Sequence, residues 1–171
     1  MEGPILTPRL TLRRFEPVDA EAVFAIFSDP EVGRWVGGPH ATIDQSRDLI
    51  ALNRVHEERF GFAMWAVERE GRLIGEAGVQ MLERGSGPEV ELGWSLAREA
   101  WGHGYATEAA RTWLEVAFAR LGLDRVIATV LPDNVASHGV AQRLGMTREP
   151  ALRHVHNAEH VIYVATPPAG A

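Results

Sequence analysis

Residues 99–109, EAWGHGYATEA, hold Gly102 and Gly104 two positions apart, immediately ahead of a segment with helical periodicity. In that segment Ala106, Ala110, Trp113, Ala117 and Leu121 share one stripe of a helix expected over 105–121. Gly122 stands just past its end, and Leu123 can pack back on Phe118. Upstream, VELGWSL at 90–96 reads as a strand. A strand, a two-glycine loop and a helix start make an anion site. Amides of the loop and first turn are unpaired and point forward, and the helix dipole adds roughly 0.3–1 kcal/mol for an anion. Glycine permits positive φ and close approach of a phosphate to the backbone. The competing reading of the same residues is a plain strand-to-helix turn.

Composition narrows what the anion belongs to. The 171 residues suit a single domain, 1–171, with a frayed tail over about 166–171 that holds Pro167-Pro168. No charged-then-apolar leader and no membrane-length apolar run occur, so the reading is a soluble cytoplasmic protein without membrane contact. Cysteine is absent, which removes disulfides, thiolate catalysis and cysteine-ligated zinc. All 17 basic residues are arginine, excluding a P-loop lysine, a Schiff-base lysine and the ATP-binding lysine of a protein kinase. A net charge of −6 opposes general nucleic-acid binding. Any anion is therefore bound locally.

Elsewhere, residues 5–15 read as a first strand, followed by a short helix capped by Asp19 with Ala22, Val23, Ile26 and Phe27 on one face and ended at Asp29-Pro30. The stretch 31–40 is a glycine-rich loop, and Thr42 with Gln45 forms a capping box for a helix to about Glu58. Strands over 62–69 and 72–82 flank a Glu70-Gly71 turn, and GSGP at 85–88 is the next turn. A strand over 124–130 leads to a helix from Asn134 to Leu144, ended by Gly145, and a last hairpin spans 149–165. The fold class is α/β (α+β), one mixed domain with mostly antiparallel strands.

A dinucleotide fingerprint is one functional reading of GHGYAT, since Asp124 lies 22 residues after Gly102. Thr107 at the third glycine position opposes it, as does Asp124 preceding its strand and Glu89 and Glu91 interrupting the apolar run before the loop. A second reading fits better. Trp101-x-x-Gly104-x-Ala106 resembles the pyrophosphate loop of the GCN5-related N-acetyltransferases, and Asn134-x-x-Ser137 followed by Leu144-Gly145-Met146 resembles that family's second acetyl-CoA motif. Their order, one helix and one strand apart, strengthens both. WGHGYATEA and DPEVGRW at 29–35 are most similar to the Rim-type ribosomal-protein N-terminal acetyltransferases. The resemblance covers nearly the whole chain, and it implies a twisted sheet of six to seven strands with about four helices. Two positions depart from the family. Trp101 replaces a Gln or Arg, and Ala141 stands where a general-acid Tyr is usual.

The resemblance implies acetyl-CoA as co-substrate, held by the amides of Gly102, His103, Gly104, Tyr105, Ala106 and Thr107 at the pyrophosphate, with Trp101 beside them. Ser95, Leu96 and Ala97 would pair with the pantetheine arm where their strand splays from its neighbour, and Leu96 would donate to the thioester oxygen. Asn134 and Ser137 complete the cofactor set. Without cysteine the amine attacks directly. Ser137, one turn from Asn134 and on the face of Ala141, is the candidate acid or thiolate donor; a surface serine bonded to its own backbone is the alternative. Tyr105 belongs to the loop, Tyr163 lies on the last strand, and His138 points about 100° away from Ser137.

An α-amino acceptor with a pKa near 8 deprotonates at neutral pH for about 1.4 kcal/mol, whereas a lysine costs about 4.6 kcal/mol. Glu91 is the leading base, on the strand face opposite Val90, Leu92 and Trp94, with Glu76 in reserve; both, with Trp35 and the 33–40 loop, are assigned to the acceptor site. A solvated strand glutamate and a packing tryptophan are the alternatives. His154, His156 and His160 could suggest a metal, but the solvent face of a hairpin accounts for them, and no metal is expected. The activity expected is acetyl transfer to a primary amine, either a peptide N-terminus or a small molecule. A silent acyl-CoA-binding domain and an antibiotic- or metabolite-modifying acetyltransferase are the alternatives. Pairing of two copies through the last hairpin is expected from the family.

Overall fold

The computed structural model describes residues 3–84, 87–155 and 158–168. Its sheet has eight strands in the order β1-β2-β3-β4-β5-β6-β8-β7. They are β1 (Ile5–Leu6), β2 (Thr11–Arg13), β3 (Met64–Arg69), β4 (Arg72–Arg84), β5 (Gly87–Leu96), β6 (Val126–Val130), β7 (Thr147–Val155) and β8 (Ala158–Ala165). The helices are α1 (Ala20–Phe27), α2 (Pro30–Gly33), α3 (Ile43–Phe60), α4 (Tyr105–Ala119) and α5 (Val135–Arg143). Every neighbouring pair is antiparallel except β5 and β6. A loop and helix that follow a strand with an antiparallel neighbour do not belong to a doubly wound nucleotide fold, so the dinucleotide reading falls. No helix among the described residues is long and apolar enough to cross a membrane.

The strand expected over 5–15 is a two-strand hairpin instead. Pro8 lacks a ladder N–H, the Leu10 amide turns back to the Thr7 hydroxyl at 2.9 Å, and the chain reverses between β1 and β2. Asp19 does not cap α1 with its side chain. It closes the preceding 3-10 turn, Pro17–Asp19, by accepting from the Glu16 amide, and it takes both forks of the Arg13 guanidinium at 2.7 Å. Burial alone would raise this carboxyl; the Arg13 fork outweighs burial and holds it below the usual range. Pro30 opens the short helix α2 with Asp29 as its cap, where only a loop was expected.

The Thr42–Gln45 capping box starts α3, and Glu70 and Gly71 both take positive φ in the β3–β4 turn. Gly85 and Ser86 of the expected GSGP turn lie outside the described residues, as does His156. Strand β3 begins at Met64, so among the described residues the edge of β4 beyond Gly78 has no strand partner on that side. His56 of α3 accepts from the Met81 amide at 2.9 Å and satisfies part of that edge.

Two layers cover the sheet. Trp65 meets Trp113 of α4 edge to face at 5.2 Å, and register places Ala77 and Trp94 beside Trp65, so these residues face α4. The alternate residues, Ala66, Glu76 and Ser95, face the other layer, which α1 and α3 supply.

Candidate active site

The only ladder partners between β5 and β6 are Glu91 and Ile127. Side chains brace this vertex on both sides of the pair. Arg125 donates to Glu89 at 3.2 Å two residues before it, and Thr129 donates to Glu91 two residues after Ile127. Gln80 of β4 donates to the other Glu91 oxygen at 2.8 Å. Past the brace the strands part, because β5 stays with β4 as far as Leu96 while β6 follows β8.

The opening leads into a cavity of about 940 Å3 between the end of β5, the 101–104 loop, the start of α4 and one side of α5, with Val32 and Trp35 entering from the opposite layer. That volume lies at the upper end of the range for small-molecule sites, room for an elongated ligand. Ser95, Leu96, Trp101, Gly102, His103, Gly104, Tyr105, Ala106, Thr107, Asn134, Ser137 and Trp35 all line it. Glu91, Glu76 and Ala97 are not among its lining residues.

Backbone alternation refines the roles on β5. The Ala97 amide donates to the Ile74 carbonyl at 2.8 Å, so Ala97 has no amide for a ligand and leaves the expected set. By the two-residue alternation of an antiparallel ladder, the Ser95 amide also points to β4, whereas the amides of Trp94 and Leu96 point into the opening. Ser95 contributes its side chain to the cavity; Leu96 and the unexpected Trp94 have amides aimed at it. Trp101 is turned inward: its indole Nε1 donates to the Leu96 carbonyl at 2.7 Å, and Arg98 stacks on its outer face at 4.7 Å. It ties the loop to the end of β5, work for which a flexible Gln would be poorly suited.

Gly102 and Gly104 have φ of 80° and 79°, the left-handed values that turn the chain into α4. The first amide bonded back within α4 is that of Glu108, to the Gly104 carbonyl, so the amides of Tyr105, Ala106 and Thr107 open the helix as donors. Arg9 grips this loop from behind. It donates to the His103 carbonyl at 3.0 Å, pairs with Glu108 at 2.6 Å, and lies over the Tyr105 ring at 4.7 Å. Tyr105 is thereby packed as a wall and buried.

Across the cavity, Asn134 caps α5 by accepting from the Ser137 amide at 3.1 Å. Trp94 Nε1 donates to the Ser137 hydroxyl oxygen at 3.3 Å. One lone pair of Ser137 is therefore occupied from the sheet side, while its own proton stays available to the cavity. Tyr163 is buried, and its hydroxyl lies 3.0 Å from His138 Nδ1. His138 Nε2 lies 3.0 Å from the Pro132 carbonyl, which can only accept; Nε2 then carries the proton and Tyr163 donates to Nδ1. This pair fastens α5 to β8 outside the cavity, so Tyr163 is not a proton source for it.

Two acidic residues assigned to the acceptor site differ in their surroundings. Glu91 is a brace of the vertex, buried and bonded on both oxygens, and not the leading base. Glu76, the register partner of cavity-lining Ser95, is buried with one oxygen lacking a hydrogen-bond partner, and burial pushes its carboxyl up to about 7. Trp35 stands in a loop closed by Gly33, which lies against Pro39 where any side chain would clash, and by His40, whose Nδ1 is 2.8 Å from Ser46 of α3. Burial lowers the His40 pKa.

His160 is buried, with Nδ1 3.0 Å from the Ala158 carbonyl, and does not lie on a solvent face of the hairpin. Among the described residues no group of three His, Cys, Asp or Glu could hold a metal ion.

A splayed parallel pair in a mostly antiparallel sheet, with a glycine loop at a helix start beside it, leaves backbone donors facing a cavity with room for an elongated anionic ligand. The acetyltransferase (GNAT) domain model matches residues 9–147, and the chain belongs to this family of N-acetyltransferases, whose members use acetyl-CoA. It is 33% identical over 161 residues to the uncharacterized N-acetyltransferase p20 of Bacillus licheniformis, across 91% of this chain and 88% of that one. An acetyltransferase from Agrobacterium tumefaciens superposes with a TM-score of 0.85 at 29% identity, across 98% and 96% of the two chains. The Rim-type fold is shared as well: RimJ of Mycobacterium smegmatis, in complex with a CoA disulfide, superposes at 0.77 with 24% identity, across 96% of this chain and 86% of that one.

Proposed function

We propose that this N-acetyltransferase acts on an α-amino group or a similarly mild primary amine, presented on a peptide or small molecule, by direct attack on acetyl-CoA. The observation that carries the reading is the cavity itself, which joins the α4 loop and the Leu96 amide on one side to Trp35 and Val32 on the other. Thioester and amine then meet at the end of β5.

The diphosphate lies against the amides opening α4, and the pantetheine arm continues the sheet beside β5. Leu96 N–H faces the thioester oxygen, where it stabilises the charge that develops as the amine nitrogen bonds to the carbonyl carbon. The C–S bond breaks, and Ser137 Oγ–H protonates the departing thiolate and is itself reprotonated from solvent. The nitrogen loses its extra proton to Glu76 through water on the Ser95 side of the strand, since Glu76 stands behind the cavity wall. A carboxyl near pH 7 is suited to that role, since it is partly ionised at neutral pH yet still basic. Buried negative charge beside the acceptor site also favours an amine that arrives as a cation. The Rim-type similarity of the loop supports a peptide N-terminus as the first acceptor to try.

Because the chain has no cysteine, a thiol reagent reports CoA release without protein background. With acetyl-CoA saturating, amino-terminal peptides and α-amino amides are expected to release CoA faster at pH 7.5 than N-blocked lysine peptides. Equal or greater turnover with the blocked lysine peptides overturns the acceptor assignment, and no turnover with any amine overturns the catalytic reading.

A further inference from the structure

We propose that Arg143 is the side-chain phosphate ligand of this site, supplied from α5 to serve the anion that Trp101 does not reach. The inference rests on the acetyl-CoA reading above. Trp101 spends its only polar side-chain atom on the Leu96 carbonyl, so the 101–104 loop offers the anion its backbone amides and the His103 imidazole, and no permanently charged side chain. Arg143 lines the same cavity from the facing helix. Its Nε donates to the Thr107 hydroxyl at 3.2 Å, which places the guanidinium next to the first turn of α4 and its unpaired amides.

The seat for this group is built into α5. Gly139 is a glycine inside a helix, a position that weakens the helix and calls for a packing reason. A Cβ at Gly139 would stand 3.1 Å from Arg143 Nη1 and 3.6 Å from Nη2, so the missing side chain is the space in which the guanidinium lies. Arg111 of α4 donates to the Arg143 carbonyl at 2.8 Å and holds the end of α5 against α4. Neither arginine has a carboxylate partner among the described residues, in contrast to Arg9, Arg13 and Arg125, each of which is neutralised. An unneutralised, anchored fork beside a helix start is matched to phosphate oxygens, with the Thr107 proton left free to donate alongside it.

CoA carries phosphate in two places, the diphosphate and the 3′-phosphate, and three ligands separate them. Dissociation constants for acetyl-CoA, acetyl-3′-dephospho-CoA and acetyl-pantetheine are measured by calorimetry on the wild type, Arg143→Gln and Arg143→Lys. The Gln variant is expected to weaken acetyl-CoA roughly 10- to 100-fold, with Lys recovering part of the loss and with no change for acetyl-pantetheine. If the loss persists with the dephospho ligand, Arg143 serves the diphosphate; if it vanishes there, Arg143 serves the 3′-phosphate. Both outcomes sustain the proposal. An equal loss for acetyl-pantetheine, or no loss for acetyl-CoA, overturns it. Failure of the folded wild type to bind acetyl-CoA at all overturns the underlying cofactor reading instead. Unchanged thermal unfolding of the unliganded Gln variant excludes misfolding as the cause of lost affinity.

Discussion

The two sides of the cavity are built by opposite means. On the α4–α5 side, short-range devices do the work: two left-handed glycines before α4, Asn134 capping α5 through Ser137, Gly145 turning the chain after α5. On the α1–α3 side, the Trp35 loop is held by Gly33 against Pro39 and by His40 against Ser46 of α3, and Glu76 stands behind Ser95 only because β4 pairs with β5. A binding half encoded locally can be held in common by many acceptors. The other half, around the Trp35 loop, is the one to which the acceptor reading proposed above assigns the amine.

Substitutions can separate the halves. The largest effect is expected from Gly104→Val, because a β-branched residue at φ of 79° is strained and its side chain lies where a phosphate approaches the backbone. Acetyl-CoA is then expected to give no thermal shift, with stability lowered by roughly 1–3 kcal/mol. A full shift in this variant would remove the loop from the site.

Glu76→Gln comes next and tests the other half. It is expected to leave the acetyl-CoA dissociation constant unchanged and to lower kcat/KM roughly 100-fold or more at neutral pH. In the wild type, kcat/KM should rise with pH through about 7 as the carboxylate forms; the variant should keep only the later rise that belongs to the amine. Stability has the opposite sign. A folded-state pKa raised from 4.5 to about 7 means the folded protein holds this proton more tightly, so stability is full below about 4.5 and declines as pH rises to about 7. Chemical denaturation at pH 5 and pH 7.5 should show a smaller pH-linked loss in Glu76→Gln than in the wild type; an identical loss would mean that Glu76 is ionised throughout.

Ser137→Ala should have the smallest effect and act at the seam. The expected result is a fall in kcat of roughly 10- to 30-fold with little change in KM for acetyl-CoA, the size of a hydrogen bond to a charged group. Unchanged kcat would return Ser137 to the role of a helix residue held by Trp94.

The contrast between the halves also explains what could be read in advance. The two-glycine turn into α4, the α5 cap, the Glu70-Gly71 turn and the α3 capping box are patterns within a few residues, and they were legible. Glu91 and Glu76 were both visible as strand glutamates, but their order could not be: alternation places them on the same sheet face, and only the neighbours differ. Glu91 meets Thr129 and Gln80 at the vertex, while Glu76 meets no partner on one oxygen. The Ala97 assignment failed for a related reason, since which amides face a ligand depends on the ladder with β4. Arg143 carried a weak signal, an arginine four residues after a helix-interior glycine, whose meaning appears only when α5 lies beside Thr107.

By itself, then, the sequence determined the family, the order of most elements and the backbone donors for an anion, because dihedral preferences, caps and glycines act over a turn or less. Tertiary structure decided the parity of β5, the brace at Glu91, the burial of Glu76, the inward turn of Trp101 and the placement of Arg143. Those depend on which strand or helix lies alongside, and solvation and hydrogen-bond partners are properties of that neighbour as much as of the residue.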